Sequence, residues 1–417
     1  MTSTAPGACP QPEAAGQRPH RDATVTRALH VLWAASVLGG LAQSLAGTAG
    51  SLLADEIAGS DAVAGLPQTL LVAGSALAAL ALSGLTSHRG RRAALSTGAA
   101  VALAGCVVVT IAAVYASLPL VLAGSLLLGA GNTTVMLGRY AAADLASPTG
   151  RGRAMASVLV ATTAGAVAGS NLLAPAGNLA AWFGLPPLGG SYLLAAIGFA
   201  AATGTLAIGL RTPDSAVGGI RAPDDAPAAP VVLGRHSVVG LAVLALANLV
   251  MVAVMTMAPV QLHHLGSGLG AIGLIVSLHI AGMFAPSPLS GRLTDHIGGQ
   301  RAALCAATVL ITAAGLAAAA ARSPAVLAVA MLLLGVGWNL AMIAGSALLT
   351  NGVPSRQRPR LEGYGEVGMG IAAAGGGVIS GPVMAMGGYG SLALCGAAVA
   401  TLILPIAWNW STRRATR

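Results

Sequence analysis

The sequence predicts an all-α integral membrane fold, with twelve transmembrane helices arranged as two parallel six-helix pseudo-repeats. Three observations carry this. Apolar residues make up 55 % of the 417 residues and charged ones 8 %, against roughly a quarter charged in a soluble globular chain. About twelve runs are long enough to cross bilayer hydrocarbon, which needs ~20 mostly apolar residues per helix. Local patterns also recur at an offset close to half the chain length.

The runs lie near 27–50, 62–84, 92–115, 118–145, 152–178, 187–210, 236–260, 267–290, 300–321, 324–350, 362–386 and 389–410. Alanine and glycine dominate them, which suits close packing in lipid, where water supplies no association force. The expected organisation is a tail over 1–24, a six-helix half over 25–210, a linker over 211–235, a second half over 236–410 and a tail over 411–417. Pro213, Pro223, Pro227 and Pro230 mark the linker as solvated. All 21 basic residues are arginine, and threading twelve spans back and forth leaves Arg322 alone on one face. By the positive-inside rule the other face is cytoplasmic, with both termini inside and the chain in a plasma membrane. Charge gathered at span ends in this way argues against nucleic acid despite the net +9. Cys9, Cys106, Cys305 and Cys395 are scattered without C-x-x-C, so neither a disulfide framework nor a thiolate metal site is indicated.

The repeat is visible in three places. Leu85-Thr86 with His88 and Gly90 matches Leu293-Thr294 with His296 and Gly298, offset by 208, in two polar hairpins at 83–92 and 290–301. The stretch Leu126-Leu127-Leu128-Gly129-Ala130-Gly131 returns as Leu332-Leu333-Leu334-Gly335-Val336-Gly337, offset by 206. A basic loop follows each, Arg151-Gly152-Arg153 and Arg358-Pro359-Arg360.

Two parallel six-helix repeats with such hairpins resemble the major facilitator superfamily of secondary transporters, whose loop motif reads G-x-L-x-D-[RK]-x-G. The second half keeps it in Gly291, Leu293, Asp295, His296 and Gly298; the first keeps Leu85, Gly90, Arg91 and Arg92, with Ser83 for the glycine and Ser87 for the acid. The resemblance implies that Asp295 sits at a cytoplasmic gate against the start of the fifth helix, near Arg151, Gly152 and Arg153. A carboxylate there meets the positive end of the helix dipole. Asp144 and Arg139 at the end of run four join the gate network by the same logic. Glu362 at the start of run eleven is expected to pair with Arg89, Arg91 or Arg92.

Substrate sites in this architecture lie near the bilayer midplane. Counting ~1.5 Å per residue, the middle-depth polar residues are Gln43, Asn132, Asn248, Trp338 and Asn339, the expected cavity residues, together with His279. The resemblance implies a cavity lined by helices 1, 4, 7 and 10. Glu366 and His279 are titratable groups inside spans and therefore candidates for proton coupling. The antiporter patterns R-x-x-x-G-x-G and G-x-x-x-G-P are partly kept. Ser125 takes the arginine position and Ser170 follows Gly165 and Gly169, while Gly377, Gly381 and Pro382 keep the full spacing in run eleven. Proton-coupled efflux of a small amphipathic molecule by a monomer is the first expectation; import of a nutrient, or a non-transporting sensor or membrane enzyme, are the alternatives. No catalytic signature appears in the spans. No cofactor is expected, and His263-His264, without carboxylates nearby in sequence, point to no metal. The expected partners are a small substrate, protons and the bilayer.

Overall fold

A computed structural model describes residues 18–146, 151–210, 234–319, 322–354 and 357–408, with the side chains of 18–24, 151–152 and 358–360 outside the description. The linker and both tails fall almost wholly outside the described residues. Those that are described form helices α1 (Arg18–Ala58), α2 (Leu66–Val114), α3 (Leu118–Leu145), α4 (Arg151–Asn171), α5 (Leu173–Trp182), α6 (Pro187–Gly204), α7 (Arg235–His264), α8 (Leu269–Phe284), α9 (Ser287–Ile297), α10 (Gly299–Ala319), α11 (Pro324–Thr350), α12 (Arg358–Thr401) and α13 (Ile403–Trp408), with no strand.

Ten helical stretches are apolar and long enough to cross a membrane. Two of these, Asp61–Val114 and Leu361–Trp408, hold 54 and 48 residues, more than ~70 Å of helix against ~30 Å of hydrocarbon. Each turns back at a single left-handed glycine, Gly90 (φ 78°) in α2 and Gly388 (φ 73°) in α12, a conformation open to a residue without Cβ. Each is therefore long enough to supply two crossings.

Those corners correct one expectation. The polar stretches 83–92 and 290–301 are not loops but helix ends, closed by Gly90 and Gly298 (φ 82°) alone. In the first stretch the hydroxyls bond backward within the helix, Thr86 Oγ1 donating to the Leu82 carbonyl and Ser87 Oγ to that of Gly84, both at 2.7 Å, whereas Thr294 Oγ1 of the second is buried without a partner among the described residues. One left-handed residue then suffices to reverse the chain. Left-handed glycines recur between the halves as Gly59 and Gly266, Gly90 and Gly298, and Gly184 and Gly388. Two buried tyrosines repeat a further contact, Tyr192 donating to the Ala46 carbonyl of α1 and Tyr389 to that of Val254 in α7.

Packing explains the other echo. Gly129 of α3 lies on the backbone of Leu71, Gly74 and Ser75 in α2, and Gly335 of α11 lies on that of His279, Gly282 and Met283 in α8. L-L-L-G-x-G is therefore a helix-crossing pattern written once per half. Gly165 and Gly169 rest in the same way on the Val37 and Leu41 carbonyls of α1. Close backbone approach of this kind is how helices associate in lipid.

Candidate functional site

A cavity of about 350 Å³ lies between the halves. Its wall comes from α1 (Gln43, Ser44, Thr48), α2 (Gln68), α3 (Asn132, Met136), α4 (Thr162), α6 (Tyr192), α7 (Met251, Met255, Thr256) and α8 (His279, Met283, Phe284). None of the lining residues is an aspartate, glutamate or arginine. A ligand here meets hydrogen-bonding groups and polarisable methionine surface, with no fixed counter-charge.

Two wall residues carry unpaired buried atoms. His279 is 2 % exposed, and its Nδ1 lies 2.9 Å from the Met331 carbonyl. A carbonyl can only accept, so Nδ1 carries the proton and Nε2 of the neutral ring is a bare acceptor. Nε2 has no partner, and Gln43 Oε1 is buried and unpaired as well. An orphan buried acceptor costs roughly 1–3 kcal/mol, so two in one cavity wall call for a donor that arrives from outside.

Of the five expected cavity residues, Gln43 and Asn132 reach the wall. Asn132 Nδ2 donates to Ser75 Oγ at 3.1 Å. Asn248, Trp338 and Asn339 do not line it. Trp338 Nε1 donates to Asn248 Oδ1 at 2.9 Å, and Asn248 Nδ2 donates to the Met369 carbonyl at 2.8 Å, tying α11, α7 and α12 together. Asn339 Nδ2 bonds the Met283 carbonyl and Ser287 Oγ on either side of the break between α8 and α9. Trp338 stands behind the wall, edge-on to Phe284. The tenth crossing therefore contributes support and the fifth and eighth supply wall, which corrects the set of helices implied by the resemblance. The missed polar residues, Gln68 and Thr256 among them, had no signal beyond their depth.

The face opposite the arginine-rich ends is sealed by cross-half contacts. Gly65 meets the Gly377 carbonyl, Gly381 meets the backbone of Asp61 and Ala62, and Gly273 meets that of Ser170. Thr69 Oγ1 donates to the Ala374 carbonyl at 3.2 Å and Asn171 Nδ2 to Ser277 Oγ at 2.7 Å. Gly377 and Gly381 of the G-x-x-x-G-P spacing thus serve this seal. His264 Nε2 adds contacts to Asp55 Oδ2 at 3.3 Å and Asp61 Oδ1 at 3.6 Å. The expectation that the histidine pair lacks carboxylates is corrected, because the other half delivers two.

On the basic face one ion pair among the described residues joins the halves, Arg139 to Glu366 at 3.7 Å. Glu366 has a side chain 57 % exposed and sits near the start of α12, paired with Arg139. Arg91 bonds Asp144 of its own half at 2.9 Å and not Glu362, because the α3 end packs directly against the Gly90 corner; Glu362 is exposed. Asp295, His296 and Arg153 are exposed and form no ion pair among the described residues, and Leu293 and Gly291 lie on α9 with Asp295 and His296. Arg92 is likewise exposed. The side chain of Arg151 and the surroundings of Gly152 lie outside the description.

Helices of membrane-spanning length and apolarity around a largely apolar cavity that carries a few hydrogen-bonding groups, set between two homologous halves and sealed at one face, define a membrane transporter. The family model described as the Major Facilitator Superfamily matches residues 32–301 and 241–417, and the chain belongs to that superfamily. It is 37 % identical over 401 residues, 93 % of this chain and 91 % of the relative, to the uncharacterized MFS-type transporter YddS of Bacillus subtilis strain 168. It is 26 % identical over 355 residues, 82 % of this chain and 85 % of the relative, to the riboflavin transporter RfnT of Brucella anthropi. In fold it is similar to a bacterial homolog of the human lysosomal transporter Spinster in an inward-facing, occupied conformation, with a TM-score of 0.66 at 14 % identity over 93 % of this chain and 96 % of that one.

Proposed function

We propose that this protein is a proton-coupled secondary transporter of the plasma membrane that exports a small, uncharged, amphipathic molecule as a monomer by alternating access. The observation that carries the substrate class is the cavity wall, which lacks fixed charge yet holds the unpaired acceptors His279 Nε2 and Gln43 Oε1. A substrate with N–H or O–H donors satisfies both, and a charged one is left without a counter-ion in low dielectric. The arginine-rich face is read as cytoplasmic, with both termini inside, so the seal lies on the outer side. Glu366 and His279 are the titratable candidates for the coupling step.

Everted membrane vesicles test this reading. The relative named as a riboflavin transporter makes riboflavin the first compound of a panel of neutral heteroaromatic molecules. With an acid-inside gradient, vesicles containing the protein should accumulate a panel compound and lose it on addition of an uncoupler. Accumulation that needs the opposite gradient would make the protein an importer. Glu366→Gln should uncouple accumulation from the gradient while facilitated exchange persists, and wild-type accumulation in that variant leaves His279 as the candidate.

Asp295 carries the gating part of the proposal. Among the described residues it has no ion-pair partner while the outer face is closed, and it meets the start of α4 when the cytoplasmic face closes instead. Asp295→Asn should remove on the order of 1 kcal/mol from that closed state, about fivefold in the two-state equilibrium. Ser87→Ala should do little, because its hydroxyl is spent on the Gly84 carbonyl. Transport rates at matched expression decide the matter, and an Asp295→Asn rate equal to wild type sinks the clasp.

A further inference from the structure

We propose that Asp55, Asp61 and His264 form a binding site for one divalent transition-metal ion of the zinc type, complete only while the face opposite the arginines is closed. Asp55 stands in the last turn of α1 and His264 is the last residue of α7. Asp61 opens a one-turn 3-10 segment, Asp61–Val63, whose start is fixed by Ser60 Oγ accepting the Ala62 N–H. The first half thus supplies two carboxylates on either side of one turn, and the second half supplies an imidazole across the gap.

The geometry suits a metal. His264 Nε2 lies 3.3 Å from Asp55 Oδ2 and 3.6 Å from Asp61 Oδ1, and all three donor atoms lie within 4.8 Å of one another. Tetrahedral zinc with bonds of ~2.0–2.1 Å to nitrogen and oxygen holds its ligand atoms roughly 3.4 Å apart. Shifts of a few tenths of an ångström on two edges and a modest closure of the third complete the set. Three protein ligands leave a fourth position for water, the arrangement of an accessible site. Side-chain exposures of 12 % for Asp55, 22 % for Asp61 and 43 % for His264 leave that position open to the medium.

Charge on this face favours a cation. Glu56 adds a third carboxylate next to Asp55, and His263 is the neighbouring titratable group on α7. The elements packed against the cluster, the starts of α2 and α8 and the 377–388 part of α12, carry no charged or titratable side chain. Arg322 is the one arginine on this face among the described residues. Two carboxylates facing a single imidazole therefore hold excess negative charge, which an ion of charge +2 offsets. The ion bridges the halves, so its binding locks the transporter with its cavity turned to the arginine-rich face. The proposal is independent of substrate and direction.

The test uses the full-length protein without a polyhistidine tag, in lipid nanodiscs, with Cys9, Cys106, Cys305 and Cys395 replaced by serine, and zinc chloride as the probe. Equilibrium dialysis should give one saturable zinc per chain, and magnesium should not compete. Asp55→Asn, Asp61→Asn and His264→Gln should each weaken binding about tenfold or more, and acidification should weaken it in the parent, because protons compete for the imidazole. Zinc at ten times its Kd should slow amide exchange over 61–69 and 374–381 about tenfold by holding the seal closed. The unfolding temperature of each variant without zinc checks that it is folded, and Asp61→Glu, which keeps the ligand type, should retain part of the affinity. No saturable binding in the parent makes the cluster an ion-pair latch only and overturns the site. Equal affinity in folded His264→Gln, or binding that leaves the exchange of these segments unchanged, overturns it as well.

Discussion

Replacing His279 by leucine is expected to lower transport by one to two orders of magnitude while leaving the amount of folded protein close to wild type. The reason lies in the ring's two bonds. Nδ1–H donates to the Met331 carbonyl between α8 and α11, and Nε2 is left as an acceptor with nothing to accept from. Leucine removes that unsatisfied acceptor, which relieves the resting state, but it also removes the group that a bound donor would meet. A hydrogen bond of this kind in a dry site is worth about 1–3 kcal/mol, or roughly 5- to 150-fold in rate or affinity. Glutamine at the same position can donate to Met331 and present an oxygen to the cavity, so His279→Gln should recover much of what leucine loses. The measurement is initial transport rate against concentration for the compound the vesicle panel identifies. A leucine variant with a wild-type rate and KM would show that the acceptor plays no part in recognition.

Gly169→Val is expected to have the largest structural effect of any single substitution considered. A Cβ at Gly169 runs into the Leu41 carbonyl of α1, and one at Gly165 into that of Val37. Backbone atoms cannot step aside as a flexible side chain does, so α4 must lift off α1. Overpacking of this sort costs ~1–3 kcal/mol and often more, and in lipid no hydrophobic force draws the helices back together. The same lift would disturb Ser44 Oγ and Ser170 Oγ, 2.6 Å apart across this contact. The variant should lose monodisperse protein on gel filtration and unfold at a clearly lower temperature. Gly315→Ala is the control, because nothing lies within 4 Å of a Cβ there, and its unfolding temperature should stay level or rise slightly as helix propensity improves. A Gly169→Val protein as stable as the parent would remove the crossing from the list of contacts that hold the fold.

The covalent pattern announces much of this architecture. Apolar runs of membrane-spanning length, arginines at alternate ends and patterns repeated at half the chain length need no tertiary information, because lipid forces the backbone to satisfy its own hydrogen bonds in helices. The corner glycines were visible too, although the polar stretches around them read as loops. Ser87 and Thr86 turned their hydroxyls back onto the helix, and nothing in composition separates that choice from a turn.

Height within the membrane was also legible, and azimuth was not. Gln43, Asn132, Asn248, Trp338 and Asn339 all stand at middle depth by counting residues, yet the first two face the cavity and the others bind neighbouring helices. Rise per residue is fixed by the helix, whereas rotation about its axis is set by which glycines meet which backbones across the crossings. The same holds for Asp55, Asp61 and His264, two from one half and one from the other, which no sequence spacing connects. The sequence by itself determined the helices, their alternation and their twofold repetition, because those follow from local backbone chemistry in an apolar medium. The tertiary structure alone decided which polar groups meet, because that depends on packing the two halves against each other.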